Sequence, residues 1–178
     1  MPTTIPEPWL SFLRDVGRAL GQPVEVHCLG GFVLTVLWGL PRPTGDVDFI
    51  EIEPSEASDE LLGIAGEGSE LAKRHKLQFH RVTIAEHPEG YASRLVDITP
   101  KGLLRLNLRA LEAHDLVLAK LARNSPRDRA DVEFLVRQGA LDRQCLEHRF
   151  EKELRPFLLN EDRETATLKL WLEECFDE

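Results

Sequence analysis

Val24-Glu25-Val26-His27-Cys28-Leu29-Gly30-Gly31-Phe32, followed fifteen residues past its second glycine by Asp46-Val47-Asp48-Phe49-Ile50-Glu51-Ile52, decides how the chain is read. The first run alternates like a strand and meets paired glycines, after which Phe32 to Trp38 is apolar throughout and stops at Gly39 and Pro41. That order predicts strand, glycine turn and buried helix. The proline-bracketed stretch Pro41 to Gly45 then leads into a second strand, rich in β-branched and aromatic residues, with its acids at the start.

Outward from this center, Trp9, Leu10, Phe12, Leu13, Val16 and Leu20 fit one face of a helix that begins at Pro8 and ends at Gly21. Ser55 starts a glycine-interrupted helical stretch to Lys76, and Leu77 to Ile84 reads as a third strand. Arg94 to Thr99 and Leu103 to Leu108 read as two short strands in a hairpin around Pro100-Lys101-Gly102. Beyond Ala110 the pattern is helical, over 114–123, 127–138, 142–159 and 165–176. The expected fold class is therefore α/β (α+β): a mixed sheet flanked by helices over residues 1–110, with a helical C-terminal part over 111–178 packed on it.

The chain's 178 residues suffice for one domain with a helical appendage. Thirty-one acids against 22 bases give a formal charge of −9, which excludes unselective binding of polyanions by the whole surface. The excess is uneven: between Arg94 and Arg129 eight bases face four acids. The longest uncharged apolar stretch, Leu29 to Leu40, has twelve residues and internal glycines, too short for the roughly 20 that cross a bilayer. With no basic start and apolar run at the N-terminus, the expected location is the cytoplasm and no membrane partner is expected. Cys28, Cys145 and Cys175 form no CxxC pair and read as packing residues, and the six histidines show no metal-ligand spacing.

Asp46 and Asp48 stand at i and i+2 of a strand, so both carboxylates project from one face and can share a divalent cation. Mg²⁺ takes oxygen ligands and completes its shell with water and substrate phosphate. A glycine pair at a strand-to-helix turn supplies the other half, because bare backbone amides and a helix N-terminus favor phosphate. Taken singly, two such acids are ordinarily solvated groups near a turn, and a glycine pair is ordinarily a tight turn.

In combination and order, Gly30-Gly31, the apolar helix, then Arg42, Thr44, Asp46 and Asp48 resemble the signature of the DNA-polymerase-β-like nucleotidyltransferase superfamily. Within it the chain is most similar to the small prokaryotic branch of AbiEii-type toxins and related nucleotidyltransferase-like proteins. Asp115 to Arg123 and Pro126 to Leu135 resemble that branch's second, helical element. The resemblance implies a nucleotidyltransferase-like sheet, Asp46 and Asp48 as catalytic Mg²⁺ ligands, and Gly30, Gly31, Arg42, Thr44, Lys120, Asp128 and Asp131 around the nucleotide. A third catalytic carboxylate is expected on a neighboring strand. The strand at 77–84 has no acid; His80 occupies an equivalent position there, and Asp97 is the other candidate.

Three of these residues carry a second reading. Ser125, Pro126 and Asp128 make a good helix start of capping-box type. Lys120 suits the C-terminal end of a helix as a base matched to its dipole, and Asp97 reads equally as an edge-strand acid facing water.

The resemblance implies transfer of a nucleoside monophosphate from a nucleoside triphosphate to a hydroxyl acceptor on tRNA, a protein or a small molecule, with an antitoxin protein as partner. One rival is a catalytically impaired nucleotide- or RNA-binding protein of the same fold. Another is a helical interaction module whose acid-rich end, nine acids to four bases over 151–178, docks a basic partner.

Overall fold

Helix α1 (Trp9–Ala19) buries Trp9, Phe12, Leu13 and Val16, the side chains whose spacing marks its inner face. In the computed structural model, which describes residues 4–177, the chain forms two compact units. The first comprises Met1–Thr83 and Leu95–Ala110, and the second Ile84–Arg94 and Leu111–Glu178.

The first unit is built on β1 (Val24–Leu29), β2 (Asp46–Glu53), β3 (Gln78–Arg81), β4 (Val96–Asp97) and β5 (Leu106–Ala110), in the order β3-β2-β1-β5-β4. β1 runs antiparallel to β2 and parallel to β5, β3 runs parallel to β2, and β4 closes the far edge antiparallel to β5. The α/β class with a mixed sheet and flanking helices is thus what the chain adopts. Alternation divides the sheet's two faces. Val24, Val26, Cys28, Val47, Phe49, Ile52, Phe79, Leu106 and Leu108 are buried on one face, packed by α1, α2 (Gly31–Trp38) and α3 (Ser58–Ala65). The other face carries Glu25, His27, Asp46, Asp48, His80 and Arg109. A bulge between His27 and Cys28 takes up Ile50 as the extra residue of β2, so both sides of the irregularity keep their apolar face inward.

Several elements depart from the sequence reading, and the strand expected over Arg94–Thr99 is reduced to Val96–Asp97. The stretch from Ser55 to Lys76 forms a short 3₁₀ turn, α3 and α4 (Glu70–His75), because glycines at 66 and 68 interrupt it. β3 stops at Arg81, short of Ile84. The last strand begins at Leu106 rather than Leu103. Arg105 sits at φ 56° and donates to the carbonyls of Gly17 and Arg18, closing the end of α1.

The second unit holds α5 (Ala113–Leu118), α6 (Pro126–Arg137), α7 (Arg143–Arg149) and α8 (Glu161–Phe176). The helix expected over 142–159 is broken: α7 passes into a π turn at Phe150–Leu154 and a 3₁₀ turn at Arg155–Phe157, where Pro156 offers no N–H. A partly buried ion network around the fully buried Asp115 organizes this unit. Arg94 forks onto the fully buried Asp115 at 2.8 and 2.9 Å and onto Glu153 at 2.6 and 3.1 Å, while Arg149 reaches Glu112 and Asp115. It ties the segment ending at Arg94 to α5 and to the π turn, as paired burial of charge requires. Glu86 Oε2 and Glu164 Oε2 are both buried with no hydrogen-bond partner.

Candidate active site

Gly30 adopts φ 82° at the end of β1, and a Cβ built on it would lie 2.6 Å from Asp48 Oδ2. Glycine is therefore required here twice over, by the backbone and by the carboxylate against it. The next residue opens α2, whose first amides have no partner within the helix. A Cβ on Gly31 would stand 3.4 Å from Thr44 Oγ1 and 3.5 Å from an Arg42 guanidinium nitrogen. Gly30, Gly31, Arg42, Thr44 and Asp48 are thus brought together at one bend.

Asp46 and Asp48 project from one face of β2, with the fully buried Val47 between them on the other. Parallel pairing sets Asp46 across from Gln78 and Asp48 across from His80. The Gln78 side-chain amide donates to Asp46 Oδ1 at 2.9 Å, and His80 Nδ1 donates to Asp48 Oδ1 at 2.9 Å. Because a carboxylate only accepts, the hydrogen of this contact sits on Nδ1. The pairing thus sets His80 beside Asp48. Gln78, which the same alternation puts on the same face, went unmarked in the sequence reading.

Asp97 is placed elsewhere. It lies on β4, and with β1 and β5 intervening, β4 stands three strand spacings from β2, about 14 Å. Its Oδ1 accepts from the Thr99 amide and its Oδ2 lies 3.5 Å from Arg109, which also reaches Glu25. The Thr99 amide and the Arg109 charge hold this carboxyl below the usual range. The sheet does not bring Asp97 to the Asp46–Asp48 pair, and a half-exposed edge acid is what its surroundings describe.

Lys120, Asp128 and Asp131 meet within the second unit. Lys120 Nζ is 3.2 Å from Asp128 and 2.9 Å from Asp131, and all three are buried. Asp128 also accepts both bonds of an Arg123 fork and closes a capping box with Ser125 at the start of α6. Burial alone would raise its pKa, but the Arg123 hydrogen bond and the Lys120 charge outweigh burial and hold the carboxyl well below the ordinary range. These contacts are those of a helix start and an internal ion cluster.

Two carboxylates on one strand face beside a glycine bend are a donor set suited to a magnesium–nucleotide complex, since Mg²⁺ is held through one or two carboxylates with the remaining ligands from phosphate and water. The clearance that Gly30 leaves for Asp48 Oδ2 is the structural mark of that fit. Among the described residues no three His, Cys, Asp or Glu side chains group so as to hold an ion by themselves. No helix among them is long and apolar enough to cross a membrane.

A family model described as a nucleotidyltransferase of unknown function (DUF6036) matches residues 19–177. The chain belongs to this family. No curated protein and no solved structure matches it. The matched range spans every candidate residue in both units, and membership in a nucleotidyltransferase family supports nucleotidyl transfer as the general activity. In this chain the glycine bend and the β2 aspartates form one assembly, while Lys120, Asp128 and Asp131 form another.

Proposed function

We propose that the first unit binds a magnesium–nucleoside triphosphate and transfers its nucleoside monophosphate to a hydroxyl acceptor. The observation that carries this reading is the placement of Asp48 Oδ2 against Gly30, with Asp46 on the same strand face. Asp46 and Asp48 would hold the Mg²⁺, which when bound supplies charge neutralization for the triphosphate. The amides at the start of α2 would donate to phosphate oxygens, and the Thr44 hydroxyl and Arg42 guanidinium beside Gly31 add a donor and positive charge there. In the transfer itself the acceptor oxygen forms a bond to the α-phosphorus, the bond from that phosphorus to the bridging oxygen breaks, and pyrophosphate leaves. The hydroxyl proton passes to solvent.

The resemblance to AbiEii-type toxins extends the proposal to a toxin paired with an antitoxin protein, acting on tRNA or on a protein hydroxyl. The basic segment seen in the sequence gives the tRNA alternative little support. Arg94, Arg109, Lys120 and Arg123 are engaged with carboxylates, and Arg105 with backbone carbonyls. A histidine where a third carboxylate is expected favors a second reading, a nucleotide-binding protein with impaired transfer.

Incubation with α-labelled nucleoside triphosphates, Mg²⁺ and either tRNA, protein or small hydroxyl compounds tests these readings together. Transfer that is lost in Asp48→Asn supports the enzyme, whereas undiminished transfer by that variant refutes the assigned role of the pair. Calorimetric binding of the magnesium–nucleotide without transfer to any acceptor selects the second reading.

A further inference from the structure

The strands flanking β2 determine what else can join its two aspartates. Register sets Leu29 of β1 and His80 of β3 on either side of Asp48, and Gln78 of β3 beside Asp46. Directly paired residues are the ones whose side chains reach each other, with Cβ atoms about 5 Å apart. None of these cross-strand neighbors is an acid; Glu51, on the same face of β2, lies beyond the bulge and pairs with His27. Asp97, the other strand-borne candidate, lies at the opposite edge of the sheet.

His80 and Gln78 instead act on the aspartates as donors, each holding one Oδ1. The hydrogen bond from His80 fixes the Asp48 carboxylate with its Oδ2 toward the glycine bend. A second cation would call for further anionic oxygen beyond the two aspartates, to neutralize its charge on the acceptor side. Two carboxylates furnish enough for one ion whose remaining ligands are phosphate and water. Positive charge beyond that ion comes from Arg42, placed beside Gly31.

Resting on the nucleotide-binding reading above, we infer that this site takes a single divalent cation, delivered with the triphosphate, and that His80 is a positioning residue standing where a second cation's carboxylate would be. Free cation in the absence of nucleotide is then held weakly, because water must replace every phosphate ligand. Replacing His80 by an acid restores a third carboxylate beside Asp48 and admits the second ion.

Equilibrium dialysis of the full chain against Mn²⁺ and an α,β-methylene triphosphate, which cannot transfer, counts both ligands without relying on activity. Mn²⁺ serves as the probe because it takes the oxygen ligands of Mg²⁺. The expected result for the natural protein is one excess Mn²⁺ per excess nucleotide on the protein side. In H80D the ratio rises toward two. In H80N, whose amide can still donate to Asp48, it stays at one. Two Mn²⁺ per nucleotide in the natural protein overturns the inference while leaving nucleotide binding intact. A ratio of one in folded H80D overturns the role given to His80. No excess of nucleotide at all overturns the functional reading on which the inference rests.

Discussion

Replacing Lys120 by methionine separates an internal ion cluster from a nucleotide-binding base. Methionine keeps most of the apolar stem and removes the ammonium, which lies 3.2 and 2.9 Å from two buried carboxylates. Removing one partner of a buried charge pair costs about 3–5 kcal/mol, because the opposite charge stays buried. Asp128 keeps the Arg123 fork and the Ser125 hydrogen bonds, so the lower end applies, about 3 kcal/mol. Against a total stability of about 5–15 kcal/mol this is a large loss, lowering the folded-to-unfolded ratio more than about a hundredfold. With a urea dependence of about 2 kcal/mol per molar, the midpoint falls by about 1.5 M. Tryptophan fluorescence reads the transition, since the Trp171 indole donates to Asn124 in the same unit. Calorimetry on the folded variant should show unchanged affinity for a magnesium–nucleotide. The reasoning is refuted if the variant loses less than about 1 kcal/mol while nucleotide affinity drops tenfold or more, which would return Lys120 to the nucleotide.

Gly30→Ala places a methyl group 2.6 Å from Asp48 Oδ2 on a backbone at φ 82°, so magnesium–nucleotide binding should fall at least tenfold, measured by calorimetry, with stability lowered by about 1–2 kcal/mol. The pH dependence of stability tests Glu164. Burial first, then the neighboring Glu86 charge and hydrogen bond, raise its carboxyl above the ordinary glutamate value. The folded chain therefore holds a proton that the unfolded chain has released, and stability falls as pH rises from the unfolded value through the raised one. Glu164→Gln should unfold at a higher temperature than the natural protein by a margin that grows across that window; thermal melts at stepped pH would contradict the raised Glu164 carboxyl if the margin were flat. Taking the difference between the two proteins cancels Glu112 and Asp128, whose lowered pKa values act in the opposite direction.

The glycine pair and the two aspartates could be recognized in the sequence because their requirements are local. A positive φ, a strand alternation and a helix start are each set by a few adjacent residues, whereas the approach of Gly30 to Asp48 depends on the pairing of Leu29 with Asp48. The partners of the aspartates were harder to see. That Gln78 faces Asp46 depends on which strand pairs with β2 and in what register, and neither is written in either strand alone. The capping box of Ser125 and Asp128 was visible for the same local reason as the glycines, whereas the convergence of Lys120 on Asp128 and Asp131 crosses the break between two helices. The end of β3 at Arg81 was hidden because Val82, Thr83 and Ile84 look like strand residues; Ile84 is exposed and already belongs to the second unit. The helix expected over 142–159 overlooked the missing N–H of Pro156.

The Ile84–Arg94 segment leaves the first unit between β3 and β4, so no single cut of the backbone yields two whole halves. A fragment ending at Ala110 would carry all five strands and still leave Arg94 without Asp115 and Glu153. During synthesis on the ribosome, β1 waits for β5, Val24 for Leu106, until this excursion has already emerged. Trimming to a minimal core would therefore have to replace the excursion with a short linker, a redesign rather than a truncation.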